Sequence, residues 1–202
     1  MLSLISLRRI LTALLLPLLL AACGADNIYA SDEAVRAARY STNQPPYISL
    51  MTVIGIPRGE GGHSALVING SQRVLFDPAG SWQHPAVPER YDVHYGITDN
   101  ILNFYIDYHA RATYYVQEIR VPVSLATADA AIRAAEQNGA VNKSFCAVGT
   151  GRVLRSVPGF ESMPTGFSPI RLRDAFARLP GAQVNTYYDG DPRIKHNVII
   201  NP

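Results

Sequence analysis

Three side chains in this sequence have the types needed for nucleophilic chemistry: the thiol of Cys146, the imidazole of His63 and the carboxylate of Asp77. A thiol nucleophile needs a base within hydrogen-bond reach and a further polar group to orient that base. Cys146 follows a polar, turn-forming segment (Asn138-Gly139, Asn142) and opens a run of small and apolar residues. The pattern predicts a short helix with Val148, Val153 and Leu154 on one side, while Ala147, Gly149 and Gly151 let it lie close to a sheet. A thiol on the first turn of a helix sits at the positive end of the helix dipole, which favours the thiolate. The backbone N–H of Cys146 would there be free to donate to the oxyanion of a tetrahedral intermediate. An unpaired cysteine can equally be a small buried hydrophobe or form an intermolecular disulfide.

The base and its orienter come from a predicted hairpin. His63 to Ile68 is strand-like, Asn69-Gly70 is a two-residue turn signal, and Arg73 to Phe76 returns before Asp77-Pro78. The two strands must lie side by side, so His63 and Asp77 fall near the same end. The geometry expected is a sulfur about 3–4 Å from one imidazole nitrogen, with Asp77 on the other.

The remaining chain supplies the frame. Ser31 to Tyr40 reads as a short capped helix, Tyr47 to Ile56 as a buried strand, and Pro57 to Gly62 as a loop. Ala79 to Ile97, with Trp82, His84, Tyr91, His94 and Tyr95, reads as a long binding loop or lid. Thr98-Asp99 caps a helix through Ile101, Leu102, Tyr105 and His109. Tyr114 to Val123 is a strand, and Ser124 to Gln137 is an alanine-rich helix stopped by Asn138-Gly139. Pro158 to Gly166 is a loop. A helix begins at Ser168-Pro169 with Leu172, Phe176 and Leu179 on one face, closed by Pro180-Gly181. Gln183 to Tyr188 and Ile194 to Ile200 read as a terminal hairpin around Asp189-Gly190-Asp191-Pro192. The sum is an α+β domain with an antiparallel sheet and helices packed on it.

The N-terminus bears on location. Arg8-Arg9 precedes an apolar run from Ile10 to Ala22 that is short for a membrane span and has the charge layout of a secretory signal. Leu20-Ala21-Ala22-Cys23 resembles a bacterial lipobox. That resemblance implies cleavage before Cys23, lipid on its sulfur and amino group, a tether over residues 23–30, and one domain over residues 31–202. Gly24 after the cysteine favours the outer membrane, facing the periplasm. The chain has only two cysteines, so lipidation of Cys23 leaves Cys146 unpaired. With Arg8 and Arg9 removed from the 18 basic residues, 16 remain against 16 acidic ones. This balance gives no electrostatic case for nucleic acid. His84, His94 and His109 fit no compact ligand spacing, Tyr114-Tyr115 and Tyr187-Tyr188 read as sheet residues, and no metal or cofactor is expected.

Gly62-His63-Ser64-Ala65-Leu66-Val67-Ile68, Asn69-Gly70 and Val74-Leu75-Phe76-Asp77 together resemble the histidine-bearing hairpin of NlpC-type papain-like cysteine hydrolases. The cysteine follows the histidine here, in Asn142-Lys143-Ser144-Phe145-Cys146. That order resembles the circularly permuted branch containing the lecithin–retinol acyltransferase-like proteins and several bacterial lipoproteins. Phe145 stands where that branch often has asparagine, with Asn142 displaced. The resemblance spans roughly Ile48 to Leu154. It implies a permuted papain-like fold and a thiol hydrolase or acyltransferase acting on an amide or ester, with cell-wall peptides or acyl lipids as substrates. The alternative is a non-catalytic envelope-binding lipoprotein on the same fold. Mass spectrometry of the mature N-terminus is expected to find diacylated or triacylated Cys23; an intact signal, or an unmodified terminus beyond residue 23, would exclude anchoring.

Overall fold

The computed structural model describes residues 24–25 and 27–196. The signal segment, Cys23 and the end of the expected terminal hairpin therefore lie outside the described residues. The fold is α+β. Seven strands, β1 (Tyr47–Gly55), β2 (Gly61–Asn69), β3 (Arg73–Phe76), β4 (Glu89–Arg90), β5 (Val93–Tyr95), β6 (Tyr114–Pro122) and β7 (Gln183–Tyr187), form one sheet in the order β4-β5-β3-β2-β1-β6-β7. Every neighbouring pair is antiparallel. Five α-helices surround it among the described residues: α1 (Asp32–Ala37), α2 (Asp99–His109), α3 (Leu125–Asn138), α4 (Cys146–Arg155) and α5 (Pro169–Phe176). None of these helices is long and apolar enough to cross a membrane.

Strand alternation divides the core in two. Ile48, Leu50, Leu66, Ile68, Val74 and Phe76 pack toward α3, α4 and α5, whereas Met51, Val53, Ala65, Val67 and Leu75 pack with Trp82 and α2. Because both faces are covered, β1 is buried along its whole length, as a continuous apolar strand should be. The helix starts follow their side-chain caps: Thr98 accepts from Ile101, Ser124 from Thr127 and Ser168 from Arg171. Ala128, Ala131, Ile132 and Ala135 bury one stripe of α3.

The structure corrects three expectations. The β2–β3 register pairs Asn69 with Arg73, so the connection is the three residues Gly70-Ser71-Gln72, and Asn69 ends the strand. Asn69 Nδ2 donates instead to the carbonyls of Gln44 and Pro45, which removes it from the turn. The Ala79 to Ile97 segment is not a free lid. It holds β4 and β5, joined through Tyr91 and Asp92, both at positive φ as a tight two-residue hairpin requires. Trp82, Val87, His94 and Tyr95 from it are buried. Within the described residues the terminal hairpin does not form: β7 pairs with β6, and Pro192–Ile194 is a 3-10 turn that buries Ile194 against α2. The tether, in turn, is partly ordered, since Ala30 N–H and Ile28 C=O bond to the backbone of Glu89 and Tyr91.

The glycines of α4 do allow close approach, but mostly to loops. A Cβ at Gly149 would press on Val141 and Pro78, and one at Gly151 would overlap the Pro164 carbonyl oxygen. Replacing Gly151 by alanine should therefore destabilise the protein. The helix-propensity gain of about 1 kcal/mol is smaller than the overpacking cost of about 1–3 kcal/mol. Thermal unfolding of Gly151→Ala checks this, with a lower midpoint expected.

Candidate active site

His63 and Asp77 meet because of the hairpin register. Leu66 opposite Phe76 puts Asp77 on the same face as Ala65, and His63, two residues further along β2, shares that face. His63 Nε2 lies 2.6 Å from Asp77 Oδ1. The same carboxylate oxygen accepts a 2.7 Å hydrogen bond from the Tyr105 hydroxyl, projected from α2. Gly80, whose N–H donates to the Asp77 carbonyl at 3.1 Å, leaves room for this carboxylate; a Cβ there would overlap Asp77 Oδ2.

Cys146 reaches this pair from the first residue of α4. It stands close enough to His63 and to the backbone N–H groups of Ser64 and Ala147 for these to act on its protonation. With Nε2 engaged by Asp77, Nδ1 is the imidazole nitrogen left for the thiol. Phe145 provides no side-chain cap for α4, so its first-turn N–H groups are not taken up by a capping side chain. The preceding turn is strained, with Ser144 at φ 70°. Asp92 fixes this segment relative to the hairpin. Its carboxylate accepts from Val141 N–H at 2.8 Å, and its carbonyl accepts from Asp77 N–H at 2.8 Å.

Burial alone would push the Cys146 thiol up, but its hydrogen bond to His63, the imidazolium charge and the two backbone donors bring it below the ordinary thiol value. Burial alone would lower His63, yet the charge and hydrogen bond of Asp77, with the Cys146 contact, raise it to about 10. Asp77 is opposed by burial and held well below the carboxylate range by His63. These directions agree on a thiolate–imidazolium–carboxylate array.

A groove of about 340 Å³ opens beside His63, lined by Gly62, Gly80, Tyr108, His109, Arg111 and Tyr114 among others. Cys146 does not line this groove and is only 8% exposed. Ala79, Gly80 and Ser81 supply the groove's border from the segment expected to do so. His109 stacks on His63, with ring centroids 5.7 Å apart and planes within 7°, and its Nδ1 donates to the Tyr105 carbonyl at 2.9 Å. Burial keeps His109 below the ordinary histidine value. Tyr105 and His109 are one helical turn apart, a spacing visible in the sequence, although the polar use of Tyr105 is not. His94 is buried behind Asp77 and lowered by burial to about 4, while His84 lies apart from the groove in a second one beside Ile28. Among the described residues no group of three or more His, Cys, Asp or Glu side chains is arranged to hold a metal.

No protein-family model, curated protein or solved structure matches this chain.

The array predicts a pH signature. Alkylation of Cys146 by iodoacetamide should remain fast below the ordinary thiol pKa of about 8.5 and fall only as the pH drops through the depressed value. His63→Ala removes the largest stabiliser of the thiolate, so its pH midpoint should move upward. Asp77→Asn should shift it the same way by a smaller amount. Gly80→Ala, which displaces the Asp77 carboxylate without changing any titrating group, should mimic Asp77→Asn. Identical profiles in all four proteins would show that the array does not set thiol reactivity.

Proposed function

We propose that this protein is a thiol hydrolase or acyltransferase of the circularly permuted papain-like kind, tethered to the bacterial envelope through lipid on Cys23. It acts on an amide or ester of a cell-wall peptide or acyl lipid. The observation that carries the reading is the 2.6 Å contact of His63 with buried Asp77, with Cys146 brought to the same imidazole by the start of α4. A sulfur held by an imidazole that is itself held by a buried carboxylate is the arrangement that nucleophilic acyl chemistry requires.

In this reading the Cys146 thiolate attacks the substrate carbonyl carbon, and the carbonyl π electrons move onto oxygen. The Cys146 backbone N–H stabilises that oxyanion. Collapse breaks the bond to the leaving nitrogen or oxygen, which takes its proton from His63 and leaves a thioester. His63, now neutral, removes a proton from water or an acceptor hydroxyl; attack on the thioester then releases the acyl product and restores the thiolate. Asp77 and Tyr105 stay out of the bond changes, holding the imidazole in place.

The test is labelling of the full-length protein in native envelopes with a haloacetamide probe at pH 6, where an ordinary thiol is almost entirely protonated. Wild type should label at Cys146, and Cys146→Ala should not. His63→Ala should label at least tenfold more slowly, as expected when the base that activates a nucleophile is removed. A Cys146 that labels only after denaturation, with Cys146→Ser cells indistinguishable from wild type, would overturn the enzyme reading in favour of a non-catalytic envelope-binding module.

A further inference from the structure

The groove beside His63 has a cation built into its wall. Arg111 follows Ala110, the C-cap of α2, and its backbone exchanges two hydrogen bonds with Tyr114, N–H to O=C at 3.0 and 2.9 Å, closing a tight turn. The start of its side chain is thereby fixed. Among the described residues, the guanidinium's hydrogen bonds run through Nη1, which donates to the carbonyls of Asp107 and Ala110 and lies 3.3 Å from Asp107 Oδ2. None of these bonds uses Nε or Nη2, the edge of a guanidinium that binds a carboxylate through two parallel hydrogen bonds. Asp107 Oδ2 also contacts His196 Nε2 at 3.3 Å, so this carboxylate oxygen is not Arg111's alone. The neighbouring walls suit a polar guest. Tyr108 and Tyr114 bring aromatic rings, and His109, with Nδ1 committed to Tyr105, has Nε2 left for the groove.

We propose that Arg111 is a substrate-recognition residue, and that this groove beside His63 takes a carboxylate-bearing part of an acyl substrate. The inference rests on Cys146 being the nucleophile and narrows the substrate class. An acidic peptide or acylamino acid fits the groove, whereas a neutral acyl lipid leaves the guanidinium edge without a partner.

Two small electrophiles of equal shape and different charge test this without knowledge of the natural substrate. The full-length protein is treated with N-chloroacetylglycine or with N-chloroacetylglycinamide at low ionic strength, and the rate of Cys146 alkylation is followed by mass spectrometry. Wild type should react about tenfold faster with the anionic probe, the effect of one charge-assisted contact, and added salt should shrink the ratio. Arg111→Gln should lose most of the preference while keeping its rate with the neutral probe. Arg111→Lys, which retains the charge but not the fork, should keep part of it. Equal rates in wild type, or an unchanged ratio in Arg111→Gln, would overturn the assignment. A general loss of reactivity in Arg111→Gln that Arg111→Lys restores for both probes alike would assign Arg111 a structural role instead. If neither probe labels Cys146 in wild type, the failure lies with the nucleophile reading itself.

Discussion

The site depends on β2 outlasting β3. Pairing between them stops at Leu66 and Phe76, so the outward-facing backbone of Ser64 has no strand beside it. An unsatisfied buried peptide group costs about 1–3 kcal/mol, and α4 supplies what β3 does not. The Ser64 carbonyl accepts from Thr150 Oγ1 at 3.3 Å, and its N–H is directed at the Cys146 sulfur. A helix thus occupies the edge that a strand vacates, and its first residue arrives beside His63. Asp77 is held at the end of β3 by its N–H, which donates to the Asp92 carbonyl and extends the pairing of β3 with β5.

Burial of this array has opposing electrostatic consequences. A carboxylate, an imidazolium and a thiolate carry a net negative charge in a poorly hydrated place, which is unfavourable unless the surroundings compensate. They do so with dipoles: the Tyr105 hydroxyl on Asp77, the Ser64 and Ala147 N–H groups on the sulfur, and the positive end of α4. Such an ion pair is weak evidence for stability, since well-packed apolar groups often do as well. What it provides is a reactive protonation state near neutral pH.

The sequence made the frame legible where periodicity is strong and caps are explicit, as in α2 and α3 with Thr98 and Ser124. It also showed that His63 and Asp77 would lie at one end of a hairpin. It did not show why they share a face. A two-residue turn at Asn69-Gly70 would pair Ile68 with Ser71 instead of Val74, an odd shift that sends Asp77 to the side of Ser64, away from His63. The three-residue connection reverses that, and it forms because Asn69 is drawn off by the Gln44 and Pro45 carbonyls, a contact with no local signature. The Ala79 to Ile97 segment was unreadable for a similar reason. Its strands have two and three residues, too few for alternation to register, and its order comes from burying Trp82 and His94 against distant parts of the chain. Tyr105 reads as one more apolar position on a helix until its hydroxyl finds Asp77.

The approach to His63 is shaped by the two glycines that begin β2. With no side chains there, Pro169 and Ile170 close on Gly61 from one direction, and the Tyr114 ring closes on Gly62 from another. Residues from α5 and from the start of β6 thus crowd the strand immediately before His63. This narrowing leaves the His63 side chain 14% exposed and the Asp77 side chain 1% exposed. Water is largely kept from the His63–Asp77 contact, which strengthens the charge interaction that water would otherwise screen. A bulky side chain at Gly62 would meet Tyr114 and reshape the groove, whereas one at Gly80 would reach the carboxylate itself. The glycines around this site accordingly divide between keeping the entrance open and keeping the array in register.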